Sequence, residues 1–418
     1  MSGWPRRRRR RGRVRSAPDH PRGAGRVTVP GTRPALWRHG HVTAAGITTR
    51  ELNRALLARQ GLLEPIDDSV PGVLARVGAV QAQSWPAVPV AVWTRTADLA
   101  PEAFLGAVER GELLLATLLR GTLHVVAAEQ YPAYAAVTAL TGAADWRRKT
   151  EGPAPLMDRL LDELREHTAE RARTADEVCA FIEAFLERHP DATTDEEIAF
   201  QRQYKWRPFR GVPAFVRAPA DGEWGAKAPE ALRAAPPAAE DRDAALAEVI
   251  RAHLRAFGPA AADDVATWIG HRTPPVRDAL AGMDDLVTFS EDGRRVLYDL
   301  PDAPRPGADA PAPVKLLPAF DSTLLAYRST HRERILPAAH KDVVYAKSNL
   351  QIKPTFLVDG LVAGTWAIAV KRRVATVALR PLEKLSATDR EALEAEAVRL
   401  ARFAQPEAKD HAVVVEEG

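Results

Sequence analysis

Two glutamines spaced two residues apart, Gln81 and Gln83, stand in the apolar run RVGAVQAQSWPAVPVAVWTR that spans residues 76–95. A glutamine carbonyl accepts hydrogen bonds, its amide donates them, and neither is a strong base. A buried polar group without a partner costs on the order of 1–3 kcal/mol. The pair must therefore bind each other, the backbone, or something brought in from outside. Residues i and i+2 diverge on a helix but share a face on an extended segment. Pro86 and Pro89 oppose a long helix here, so the two side chains can converge on one point. Two glutamines that only cap loop backbone are the competing reading.

Composition bounds what surrounds them. The chain has 418 residues, room for two to four domains. A single cysteine, Cys179, excludes a disulfide framework and a cysteine-rich zinc site, and fits a reducing cytoplasm. No apolar run is long enough to span a membrane. The histidines lack metal spacing and no phosphate-cradling glycine loop is present, so no cofactor or metal is expected. Residues 1–45 hold twelve Arg against one Asp, +11. The whole chain is +3, so residues 46–418 carry −8. The high pI is a property of the tail, and nucleic-acid binding by the rest would need local basic patches.

The tail, 1–45, reads as disordered. Folded structure begins near Ile47, where Thr48 and Glu51 form a capping box ahead of Leu52, Leu56 and Leu57. Helices are expected over 70–77 and 101–110, then strands over 113–119 and 122–126 around Arg120-Gly121. Helices followed by a ribbon make a winged-helix order, placed at 46–150. The order repeats over 151–243, with a helix at 156–171, a second capping box at Thr174 and Glu177, a strand at 212–217 and an Ala/Pro linker from 218. Residues 244–300 show it most clearly: three helices, then strands flanking Asp292-Gly293, a strong hairpin turn. A second linker, 301–313, leads to 314–418, a β-rich C-terminal domain closed by a helix at 388–404. The fold class is mainly α with β ribbons (α+β).

Five stretches, in order, resemble the AlkZ-like winged-helix DNA glycosylases, the group that includes AlkX (YcaQ). They are GAVQAQ at 78–83, RGTLH at 120–124, FGPA at 257–260, LLPAFD at 316–321 and LVDGLVAGTW at 357–366. The resemblance covers about residues 46–405. It implies tandem winged helices around a concave DNA channel, and hydrolysis of the N-glycosidic bond of N7-alkylated guanine, often a bulky adduct or an interstrand crosslink. The family's signature of Gln, an apolar residue, then Gln or Asp falls on Gln81-Ala82-Gln83. The Gln-x-Gln form resembles the branch tied to self-resistance against DNA-alkylating natural products. The tail and the aromatic stretch at 201–209 match no family pattern.

Alkylation at N7 makes guanine a cation that departs neutral, so a strong general acid is less necessary. The sugar acquires oxocarbenium character, as in glycoside hydrolysis. What remains is to orient a water beneath C1′, the role the resemblance implies for Gln81 and Gln83. Arg120 and His124 are candidate DNA contacts, with an ion pair and a core histidine as their alternatives. Asp321 could stabilise sugar charge or serve a turn. Lys371-Arg372-Arg373, between two strands, reads as a basic hairpin tip that probes the DNA backbone or minor groove. Arg147-Arg148-Lys149 and His331-Arg332-Glu333-Arg334 are weaker basic clusters. The expected partner is double-stranded DNA carrying N7-alkylguanine, bound by a monomer in the cytoplasm near the nucleoid. The rival is a winged-helix protein without catalysis, a regulator or an adduct-sequestering binder, since fold alone does not give function. A regulator has no reason to carry Gln81-Ala82-Gln83 in an apolar run.

Overall fold

The computed structural model describes residues 45–141, 154–291, 293–346 and 351–416. The expected tail, apart from Ala45, and the Arg147-Arg148-Lys149 cluster lie outside them. The chain starts with a short strand, β1 (Ala45–Ile47), and a helix over Thr49–Arg59. Thr48 accepts from the Glu51 backbone N–H while the Glu51 carboxylate accepts from the Thr48 N–H, the expected capping box. The helix Val70–Val77 stops at Gly78, whose φ of 84° reverses the chain into β2 (Val80–Gln81). A short helix, Ala87–Trp93, then forms despite Pro89. Pro89 sits in its first turn, where the missing N–H has no intrahelical partner to lose.

After the helix Pro101–Glu109 come β3 (Leu113–Thr117) and β4 (Leu123–Ala127), the expected ribbon. The helix Tyr131–Leu140 was not expected. Seven of its ten residues are buried, so it carries no amphipathic stripe to read. Helices over Ala154–Ala169 and Ala175–Arg188 follow, the latter opened by the Thr174–Glu177 capping box. Two further helices, Asp195–Gln203 and Arg207–Arg210, occupy the segment that lacked a clear pattern. β5 (Phe215–Arg217) and β6 (Leu232–Ala234) come next. The stretch 218–243 is therefore not all linker, because β6 lies inside it.

Helices Arg242–Phe257, Ala262–Ile269 and Thr273–Ala281 precede the ribbon of β7 (Val287–Glu291) and β8 (Arg295–Asp299). The C-terminal part contains β9 (Lys315–Leu317), the β10 (Tyr345–Ala346) and β11 (Gln351–Ile352) pair, β12 (Thr355–Val358), β13 (Leu361–Lys371) and β14 (Val374–Pro381). A helix over Ala387–Ala404 and β15 (Asp410–Val415) end it. β15 pairs parallel with β14 through that helix, a crossover absent from the sequence reading.

The architecture is mixed α and β, as expected, but its sheets cross the unit boundaries. β5 and β6 extend the first ribbon into a five-stranded sheet in the order β2-β4-β3-β5-β6. β1 pairs parallel with β7, Ala45 opposite Phe289, in the order β1-β7-β8. One hydrophobic core joins Leu56 and Tyr134 to Phe257, Trp268, Leu324 and Val362, and the helix Arg242–Phe257 packs in it against the helices Thr49–Arg59, Val70–Val77 and Tyr131–Leu140. Among the described residues no helix is long and apolar enough to cross a membrane.

Candidate functional site

The two glutamines sit where a strand turns into a helix. Gln81 ends β2 and pairs in register with His124 of β4. The Ala82 N–H continues that ladder by donating to the Leu123 carbonyl at 2.8 Å. The backbone is thus extended from Val80 to Ala82 and bends at Gln83. Ala82, between the two glutamines, is buried. Beyond Gln83 the chain is anchored again by buried Trp85, whose Nε1 donates to the Gly225 carbonyl at 3.0 Å and whose ring stacks on Trp224. On the near side the Ser322 hydroxyl donates to the Ala79 carbonyl at 3.1 Å.

The pair is unequal. Gln81 is 8% exposed, whereas Gln83 is exposed. Arg120 Nη2 donates to Gln81 Oε1 at 3.0 Å. Arg120 lies in the left-handed region, φ 57°, in the turn between β3 and β4. Its Nη1 donates to the Trp268 carbonyl in the last turn of the helix Ala262–Ile269. Gly270 ends that helix at φ 84°, and a Cβ there would stand 3.0 Å from Arg120 Cγ, so only glycine allows so close an approach. Among the described residues no carboxylate bonds Arg120. The carbonyl end of a helix, the negative end of its dipole, is what faces the guanidinium instead. Burial, then the charge of nearby Arg332, pulls its pKa down to about 10, which leaves it cationic at neutral pH.

His124 is placed differently from a DNA contact. It is 1% exposed, with Nδ1 at 2.9 Å from the Thr122 carbonyl and Nε2 at 3.4 Å from Arg120 Nη2. A carbonyl needs a donor, so Nδ1 carries the proton and Nε2 is left as the acceptor facing Arg120. Burial, then the Arg120 charge, pushes its pKa down to about 3. This neutral histidine supports Arg120 and cannot reach a phosphate as placed.

His253, buried between Phe257 and Trp268, is likewise pushed down by burial, to about 4. A histidine whose folded pKa lies below its unfolded value stabilises the fold fully above the unfolded value, near ~6.5, and loses that contribution as pH falls. Urea unfolding should therefore show stability dropping from about pH 6.5 downward, by up to ~1.4 kcal/mol per pH unit for each histidine. His124→Asn should shed one of those protons from the slope between about pH 6 and 4.5. An unchanged slope would mean that His124 titrates normally.

Asp321 does not face a ligand. Its carboxylate makes a bidentate pair with Arg95 at 2.9 and 3.0 Å, both side chains buried, and accepts from the Thr323 N–H and hydroxyl. The turn reading of Asp321 is the one its contacts fit. Lys371, Arg372 and Arg373 are all exposed at the β13–β14 turn, where Arg372 and Arg373 have φ of 51° and 65°. Two consecutive left-handed non-glycine residues are strained, at roughly 1–2 kcal/mol each. In the remaining basic cluster, Arg334 is buried over the Tyr327 ring, while Arg332 stacks on Tyr345 and lies near Arg120. Arg332 was legible only as part of a weak basic run, and its proximity to Arg120 had no sequence signal.

Asp263, Asp264 and His331 bring three ligand atoms within 4.8 Å of one another. Both carboxylates already accept from protein donors. Asp264 accepts from His331 Nδ1 at 2.7 Å and from the backbone N–H groups of Arg328 and Ala261, and Asp263 pairs with Arg328. This is a hydrogen-bonded ion cluster that ties the third helical unit to the loop after β9.

Residues 74–403 match the family profile described as DNA glycosylase AlkZ-like. The span includes both glutamines, Arg120, His124 and the basic β13–β14 turn. The chain is 27% identical over 368 residues to an interstrand DNA cross-link repair glycosylase of Streptomyces sahachiroi, covering 83% of this chain and 94% of that protein. It also resembles the solved structure of the Streptomyces sahachiroi DNA glycosylase AlkZ, with a TM-score of 0.72 and 22% identity, over 89% of this chain and 100% of the other.

Proposed function

Because the chain belongs to the AlkZ-like DNA glycosylase family, we propose that it is a monofunctional glycosylase that releases cationic N7-alkylguanine from duplex DNA. Bulky natural-product adducts or interstrand crosslinks are its proposed targets, as self-resistance or base excision repair, and it is proposed to act as a monomer. The observation that carries this reading is a glutamine pair at the end of β2, Gln81 buried and braced by Arg120, Gln83 exposed at the bend that follows. The N9–C1′ bond breaks with its electron pair kept by the base, which cancels the positive charge that alkylation created. Water adds to the electron-poor C1′ and its proton passes to solvent. Two neutral amides suit this task. They orient the water without needing to protonate a leaving group. An uncharged base, which lacks that built-in leaving tendency, should be a poor substrate.

The test is single-turnover base release from a duplex carrying one defined N7-alkylguanine, with alkali or heat revealing the abasic site. No release from any cationic adduct would favour the non-catalytic binder.

Lys371, Arg372 and Arg373 are proposed to contact the DNA backbone or minor groove, with the turn strain maintained for that contact. Replacing Arg372-Arg373 by Asn-Gly should relax the turn and raise stability by about 1 kcal/mol or more. The same change should weaken DNA binding and lower the slope of log K against log salt by about two. Unchanged affinity and salt slope would make the turn a solvated loop.

A further inference from the structure

The bond from Arg120 to Gln81 does more than brace a side chain. The two ends of a glutamine amide are nearly identical in shape, and only the hydrogen-bond network decides which way it faces. Arginine offers donors and no acceptor. With Arg120 Nη2 at 3.0 Å, Gln81 presents its carbonyl to the guanidinium. The reversed amide would set N–H against N–H. We propose that Arg120 is a positioning residue that holds the Gln81 amide in one orientation, so that Gln81 serves the attacking water as a donor and Gln83 alone serves as its acceptor. This rests on the reading of the glutamine pair given above.

Several features fix Arg120 for the task. Its second nitrogen is held by the Trp268 carbonyl, its backbone is pressed against Gly270, and the neutral His124 ring offers an acceptor rather than a competing charge. A carboxylate partner would draw the guanidinium away from Gln81, and none bonds it among the described residues. The Gln81 amide nitrogen makes no hydrogen bond among the described residues. It is the donor left for a ligand. A water that accepts from this N–H uses one lone pair. Its other lone pair is then aimed at C1′, and one of its protons points to the exposed Gln83 carbonyl. The two glutamines are thus not interchangeable, although their side chains are the same.

The proposal is tested with isosteric changes. Gln81→Glu puts a carboxylate against Arg120, which keeps the contact but has no proton to donate. Single-turnover release should fall on the order of 100-fold. Gln83→Glu keeps an acceptor and should lose less than tenfold. Arg120→Met should slow release about as much as Gln81→Ala, with DNA affinity within twofold of wild type. Arg120→Met combined with Gln81→Ala should be no slower than Gln81→Ala alone, because Arg120 acts through Gln81. Equal losses in Gln81→Glu and Gln83→Glu would overturn the proposal, and these variants decide the matter even if Arg120→Met fails to fold. So would an Arg120→Met protein that loses affinity but keeps its rate at saturating DNA, the signature of a phosphate contact. Wild-type protein in the same assay separates the layers. Normal wild-type release with symmetric glutamine variants overturns this inference only, whereas no wild-type release overturns the glycosylase reading and this inference with it.

Discussion

Replacing Gln81 or Gln83 by alanine is expected to slow N7-alkylguanine release on the order of 100-fold each, with DNA affinity almost unchanged. The magnitude follows from the kind of interaction lost. Each glutamine supplies one aimed dipole to a water whose orientation matters only as the glycosidic bond breaks. Removing a single such group from a preorganised site typically costs 10²–10³ in rate. Affinity should survive because the contact is with water and the developing sugar charge, not with ground-state DNA. Since the two share one water, the double alanine variant should be little slower than the poorer single one. Gln83→Asp should keep much of the rate on a small adduct such as N7-methylguanine, because a carboxylate also accepts from water. The measurement is single-turnover release at saturating enzyme. Wild-type rates in both single variants would remove the pair from the chemistry.

The second large effect is on stability. Arg95→Met is expected to destabilise the protein by about 3–5 kcal/mol, because it strands the Asp321 carboxylate in the core. Arg95 is a hub: it donates to both Asp321 oxygens, to Gln60 Oε1 and to the Ala91 carbonyl. Gln60 in turn donates to the Val77 and Ala256 carbonyls. The network therefore ties the end of the helix before Gln81 to the third helical unit and to the loop after β9. Arg95→Met with Asp321→Leu should be more stable than Arg95→Met alone, since no buried charge then lacks a partner. Urea unfolding near pH 7 measures both. Asp321→Asn serves as a check on chemistry: it should lower stability while leaving the release rate per folded molecule near that of wild type. A rate lost without a loss of stability would return Asp321 to the reacting centre.

The amino-acid sequence by itself determined most of the helices and the identity of the glutamine pair. Thr48 with Glu51 and Thr174 with Glu177 are local signals, complete within four residues, and both capping boxes form. The three helices ahead of the 292–293 turn and the helix that closes the C-terminal part are equally local, and helices stand there. Where the local signal was absent, the reading stopped. The helix Tyr131–Leu140 is buried on nearly every side, so its periodicity is silent. β1, β6 and β15 are short segments stabilised by pairing to strands elsewhere in the chain, and nothing within three to six residues announces a partner.

The site divides the same way. Gln81 and Gln83 were singled out by their setting in an apolar run together with the resemblance of Gln81-Ala82-Gln83 to the family signature. That they differ, one a buried group held by a guanidinium and one exposed, was decided only by tertiary structure. Arg120 reaches Gln81 across 39 residues and the Trp268 carbonyl across 148. His124 and Arg120 stand four apart and looked alike as candidate DNA contacts, yet packing buried the histidine and turned the arginine inward. Local patterns report backbone preference and burial. The direction in which a buried polar group points depends on which distant donor or acceptor the fold delivers to it, and that is a property of the assembled core.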